Sequence, residues 1–247
     1  MVPADVALAH AQLFLTRVVP RETSVLVVGA QAAQLGWRLA HLGHDVQAMD
    51  ARLAEPIPQH PRLRLSRTDF FTVAPAKAQR VDAVIALDGL RRAPSREVLL
   101  DALPRWVRPG GLLAFDELDV EMADGDTARW LFELLTQAVL TGAAPPRALE
   151  GGEDDASVER WKRLLARDGA VLPGGALLSL CRELGVVRET ERGVGLFRAY
   201  CGALEPASRW LPLAEWALRA EERRLAEGSL RAVGLRAVVQ VGSAPAD

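Results

Sequence analysis

SVLVVGAQAAQLGWRLAHLGHDVQAMD, running from Ser24 to Asp50, is the stretch that decides the fold. Four consecutive Val and Leu residues, Val25 to Val28, lead to Gly29, and a short run of small residues follows. From Ala32 the apolar positions change period: Ala32, Leu35, Leu39 and Leu42 recur at helical spacing, which gives one face that can pack on a sheet. Gly43 stops that helix, and Val46 to Met49 reads as a second short strand ending on Asp50. Strand, tight turn, helix and strand form a βαβ unit whose crossover makes the two strands parallel. A helix that starts directly after a buried strand offers unpaired N–H groups and a partial positive charge at the sheet edge. A carboxylate at the tip of the next strand can accept hydrogen bonds from a ribose, and Asp50 follows Gly29 at the spacing of about 20 residues that such sites use. The unit reads as half of a nucleoside-binding site.

Working outward, the chain of 247 residues accommodates one α/β domain with an insertion, and its 49% hydrophobic and 25% charged residues supply an ordinary globular core. A formal net charge of −2 disfavours nucleic acid or an anionic membrane as partner. The arginines at 62, 64 and 67 form a local basic patch, a pattern that more often marks a solvated face. Cys181 and Cys201 lack CxxC spacing and suggest buried thiols in a reducing compartment. No signal-like segment opens the chain and no apolar run approaches the ~20 residues of a membrane span, so the expected location is the cytoplasm. Basic residues are almost all arginine, with Lys77 and Lys162 the only lysines, as a GC-rich bacterial genome would produce.

Along the chain, residues 3–19 predict a lead-in helix closed by Pro20, and residues 51–61 a proline-bearing loop. Arg62 to Arg67 alternates as a third strand, and Val81 to Leu87 is an apolar run suited to a strand covered on both faces. Ser95 caps a helix whose buried face carries Val98, Leu99, Ala102, Leu103 and Trp106. Arg108-Pro-Gly-Gly111 reads as a turn into a fifth strand, Leu112 to Phe115, ending at Asp116. Helices are expected over 127–140, 158–166, 176–184 and 211–226, strand-like material broken by glycines over 186–200, and a last strand over 237–241. The mostly helical section 120–185 reads as a lid or an oligomerisation element, which leaves room for a homodimer. Asp116, Glu117, Asp119 and Glu121 form an acidic cluster that reads as a solvated turn, or as the place of a general base.

Several chemistries drop out on motif grounds. There is no GxxxxGK[ST] loop and no GxSxG elbow, and the only tyrosine, Tyr200, lacks a lysine four residues on. His41 and His44 lie three apart but straddle a helix end, so no metal site is expected.

The order VLVVGAQAA, HDVQAMD, RTDFF, VDAVIALDGL and WVRPGGLLAFDE resembles class I S-adenosylmethionine-dependent methyltransferases over residues 22–120. That resemblance implies an α/β fold with a doubly wound, mostly parallel seven-stranded sheet and a single domain over 1–247, in which 1–20 is the lead-in helix and 120–185 the insertion. It implies S-adenosylmethionine as cofactor and methyl transfer to a small-molecule acceptor. Gly29, Ala30 and Gln31 would then line the cofactor loop, Asp50 with Ala51 would meet the ribose, and Asp69 with Phe70 the adenine. Leu87 and Asp88 would face the methyl group, with Asp88 or Glu117 as an optional base near the acceptor. Against the family's pattern, Val27 stands where an acidic residue is usual, and Gln31 and Ala33 replace later glycines. A degenerate loop of that kind also suits a non-catalytic binding or scaffold protein, and the βαβ unit with Asp50 also suits an NAD-dependent Rossmann oxidoreductase. Asp50, Asp69 and the Asp88-Gly89 pair each have an ordinary reading as turn or cap residues.

Overall fold

Val25 to Val28 lose all or nearly all of their exposure, as β-branched and Leu residues do in a strand covered on both faces. The structure is a computed structural model and describes residues 1–29, 31–51, 59–73, 80–149, 156–167 and 171–242. A lead-in helix α1 (Pro3–Val18) precedes β1 (Ser24–Gly29), α2 (Ala32–His41) and β2 (Asp45–Met49). Then come β3 (Leu63–Ser66), β4 (Val81–Leu87), α3 (Arg96–Trp106) and β5 (Val107–Leu118). The remainder is α4 (Gly125–Leu140), α5 (Ser157–Ala166), α6 (Gly174–Leu184), β6 (Gly185–Gly193), α7 (Leu196–Ala203), α8 (Leu211–Ala226) and β7 (Gly234–Val241). The strands form one seven-stranded sheet in the order β3-β2-β1-β4-β5-β7-β6, and β3, β2, β1, β4 and β5 pair in parallel. Gly185 at the start of β6 abuts Gln240, and Gly193 at its end abuts Gly234, so β6 and β7 run in opposite directions. This is the mostly parallel α/β sheet that the resemblance implies.

Side-chain caps set the starts of α3 and α4. Ser95 Oγ accepts the Val98 N–H at 3.3 Å and caps α3 as expected. Asp124 does the same for α4 through the Thr127 N–H at 2.9 Å, so that helix begins two residues before its apolar pattern does. Leu42, expected on the buried face of α2, lies one residue past the helix and is half exposed.

Two expectations are corrected. Arg108-Pro-Gly-Gly111 is not a turn before the fifth strand but a bulge within it. Between Val81 and Ala83 on β4 the pairing on β5 jumps from Val107 to Leu112, so the extra residues bow outward, and Gly110 takes a left-handed φ of 79°. The strand also runs on past Asp116 to Leu118. Second, residues 186–200 are not all strand-like: β6 stops at Gly193 and α7 begins at Leu196. Leu196, Phe197, Tyr200 and Cys201 are all buried, at the spacing of a helix face.

By proximity of residues the chain falls into two compact units. One comprises 1–10, 118–169 and 192–235, and within it Trp161, Leu131, Leu196 and Phe197 are buried, with the Trp161 indole N–H donating to the Val120 carbonyl at 2.9 Å. The other comprises 11–117, 170–191 and 236–247, and its interior holds Leu26, Ile85, Phe115, Leu99 and Trp106. Of the helices in 120–185, α4 and α5 belong to the first unit and α6 to the second. Among the described residues no helix is long and apolar enough to cross a membrane.

Candidate functional site

Parallel register brings the candidate residues to one edge. Val28 is level with Met49, Met49 with Ser66, Gly29 with Leu87 and Leu87 with Asp116. The carboxyl ends of β1 to β5 therefore deliver Gly29, Asp50, Asp69, Asp88 and Glu117 to the same side of the sheet. The strand order reverses between β1 and β4, the switch point where open α/β sheets bind ligands.

At that switch point the backbones nearly touch. Gly29 has φ 99°, and a Cβ on it would lie 2.2 Å from the Leu87 carbonyl oxygen and 2.8 Å from Gly89. Only glycine fits there, for the sake of β4. Ala30 lies outside the described residues. Gln31 follows in the left-handed region, φ 58° and ψ 26°, at the N-cap of α2 with no side-chain hydrogen bond to the helix. The first N–H groups of α2 thus meet no side-chain cap from Gln31.

Asp50 is half buried at the tip of β2, where its backbone N–H donates to the Ser66 carbonyl and ties the strand end to β3. Ala51 beside it is exposed. Asp69 is also exposed, and its Oδ1 accepts the Phe71 N–H at 3.0 Å. Phe70 is buried, its ring 6.1 Å from that of Trp106 in a stacked arrangement.

The end of β4 is the most constrained part of the edge. Leu87 is buried, and Asp88 adopts a left-handed φ of 48° while its N–H donates to the Asp116 carbonyl at 3.1 Å. Glu117, with no exposure, reaches back from β5, and its Oε1 accepts the N–H groups of Gly89 and Leu90 at 2.8 and 2.7 Å. It caps the 3-10 turn Leu90–Arg92 from across the sheet. Arg91, buried in turn, places Nε 3.5 Å from Asp88 Oδ1 and 3.8 Å from Glu117 Oε2. Burial, and next the Asp88 charge, push the Glu117 carboxyl up to about 7, against the opposing pull of Arg91 and the two N–H donors. Arg91 is absent from the sequence reading. Nothing in a Leu-Arg-Arg after a strand marks the middle residue as a buried counter-ion.

The acidic cluster is not a solvated turn. Asp116, Glu117 and Asp119 are all buried. Arg236 Nε meets Asp116 at 2.9 Å and Arg192 Nη2 meets Asp119 at 2.8 Å. These arginines arrive from residues more than 70 positions away, so spacing along the sequence could not pair them. Only Glu121 is exposed.

No family model matches the chain, and no curated protein matches it in sequence. Solved structures match it over most of its length at low identity. A Listeria monocytogenes protein assigned as an S-adenosylmethionine-dependent methyltransferase gives a TM-score of 0.56 at 13% identity, over 95% of this chain and 100% of its own. An S-adenosylmethionine-dependent methyltransferase of Mesorhizobium loti gives 0.55 at 15%, over 94% and 98%. An Anabaena variabilis protein assigned as a methyltransferase of an antibiotic biosynthesis pathway gives 0.55 at 14%, over 93% and 96%. Likeness at this level establishes the fold, and this chain has the class I methyltransferase fold.

Proposed function

We propose that this chain transfers a methyl group from S-adenosylmethionine to a small-molecule acceptor, working in the cytoplasm. The observation that carries the reading is the convergence at the carboxyl edge: a half-buried carboxylate at the tip of β2 and an uncapped helix start after β1, on a class I sheet. These groups fit the cofactor. Asp50 would accept hydrogen bonds from the ribose hydroxyls, Gln31 and the first turn of α2 would meet the amino-acid end, and exposed Asp69 would meet the adenine amine. Leu87 would form the apolar wall beside the sulfonium. When bound, the cofactor supplies a methyl group already activated for transfer, so the protein's part is to align the acceptor and exclude water.

Asp88, at the rim of the site, is the residue we place beside the acceptor as proton acceptor. Glu117 has no exposure and its Oε1 is held by two backbone N–H groups, so we assign it a positioning role through the Asp88 turn. Two unpaired buried thiols suit a reducing compartment.

The test is calorimetric titration with S-adenosylmethionine, S-adenosylhomocysteine and NAD. Micromolar binding of the first two is expected, weakened about tenfold or more in Asp50→Ala. Binding of NAD alone, or of none of the three, overturns the reading.

A further inference from the structure

The opposite edge of the sheet carries a second feature that methyl transfer does not use. At the amino ends of β1 to β4 lies a cavity of about 390 Å³ whose charged lining is Arg62, Arg64, Arg80 and Asp45. Alternation along β3 puts Arg62 and Arg64 on one face of the edge strand, and Arg80 enters from the residue before β4. Arg62 donates from Nη1 to the Gly43 carbonyl, which fixes its guanidinium at the rim. Among the described residues, no hydrogen-bond or ion-pair partner meets the guanidinium of Arg64 or of Arg80. Asp45 lines the same cavity, yet it too forms no ion pair with any of the three.

Acidic residues outnumber basic ones, 32 to 30, and Arg17, Arg96, Arg108, Arg192 and Arg236 each face a carboxylate. Here three like charges line one concave space with a single carboxylate, and an anion bound among them would relieve their mutual repulsion. Three guanidiniums against one carboxylate leave a surplus of two positive charges. Guanidinium forks match phosphate oxygens in pairs.

We propose that this amino-edge cavity binds a small molecule bearing a diphosphate or two neighbouring phosphate groups. The bounded volume and the overall negative charge favour a small dianion over a nucleic acid strand, which needs an extended basic track. The site does not depend on the carboxyl-edge chemistry, and the inference stands or falls separately from it.

Calorimetric titration of the full chain with inorganic pyrophosphate, inorganic phosphate and a single-stranded RNA oligonucleotide tests it. Pyrophosphate is expected to bind more tightly than phosphate by about tenfold, and to weaken as salt is raised. Arg64→Gln and Arg80→Gln, both at exposed positions, should each weaken pyrophosphate about tenfold. Asp45→Asn should tighten it by about threefold, a gain that misfolding cannot produce. Affinity for S-adenosylhomocysteine, read in the same variants, should not move. No pyrophosphate binding up to about 5 mM, unchanged binding in both arginine variants, or RNA bound in preference to pyrophosphate would each overturn the proposal.

Discussion

Glu117 shows how a single buried carboxyl can link the site to pH. In the unfolded chain it titrates near the ordinary 4.5, and in the fold near 7. The folded state therefore prefers the protonated form. Its stabilising contribution is complete below about pH 4.5 and is lost as pH rises through about 7. The gap corresponds to about 3 kcal/mol at most. Melting temperature followed from pH 5 to 8 should accordingly fall in the wild type and run flatter in Glu117→Gln, which keeps an oxygen for Gly89 and Leu90 but carries no charge. Equal slopes in the two proteins would mean that Arg91, 3.8 Å away, neutralises Glu117 fully.

At the scale of elements, two helical starts are capped by glutamates far along the chain. Glu117 serves the 3-10 turn after β4, and Glu221 on α8 serves α7. Glu221 has no exposure, and its two oxygens accept the N–H groups of Gly195, Leu196 and Phe197 at 2.7 to 2.9 Å. Burial pushes its carboxyl up, against the pull of those three donors and of Arg198. Truncation by Glu221→Ala would strand three buried donors and should cost roughly 3 kcal/mol or more in urea denaturation. A loss under about 1 kcal/mol would show that water replaces the carboxylate there. This geometry also explains what could be read from sequence. The Ser95 cap was legible because its partner is three residues on, whereas α7 reads as broken strand because Gly193 and Gly195 stand just before it and its cap comes from 26 residues later. β1 and β4 were legible from apolar runs, because burial on both faces writes itself into consecutive residues, whereas the edge strand β3 was legible from alternation. The candidate site was legible only where it follows strand ends, as at Asp50 and Asp88. Nothing local to the sequence shows that Phe70, which the resemblance places at the adenine, packs against Trp106, because that partner lies on another element.

At the scale of the whole molecule, the two cysteines report separately on the two compact units, since Cys201 belongs to the first and Cys181 to the second. Burial pushes each thiol up to about 12. At pH 8 the thiolate fraction is then about one in ten thousand, and neither sulfur is open to an aqueous reagent. Native protein should leave an aromatic disulfide reagent uncoloured over hours, and denatured protein should release two equivalents at once. Single-thiol variants, Cys181→Ala and Cys201→Ala, turn the same assay into a probe of opening. With reagent in excess, labelling at a rate independent of its concentration would show that opening of the unit is rate-limiting, and a rate proportional to concentration would report the equilibrium of opening. Saturating S-adenosylhomocysteine should slow labelling at Cys181, whose unit contains Asp50, Asp88 and Glu117, because a ligand that binds only the folded form at about 100 times its Kd adds about 2.7 kcal/mol to that form. Labelling at Cys181 that ignores the ligand, in protein shown by calorimetry to bind it, would place Cys181 in a segment that opens without disturbing the carboxyl edge.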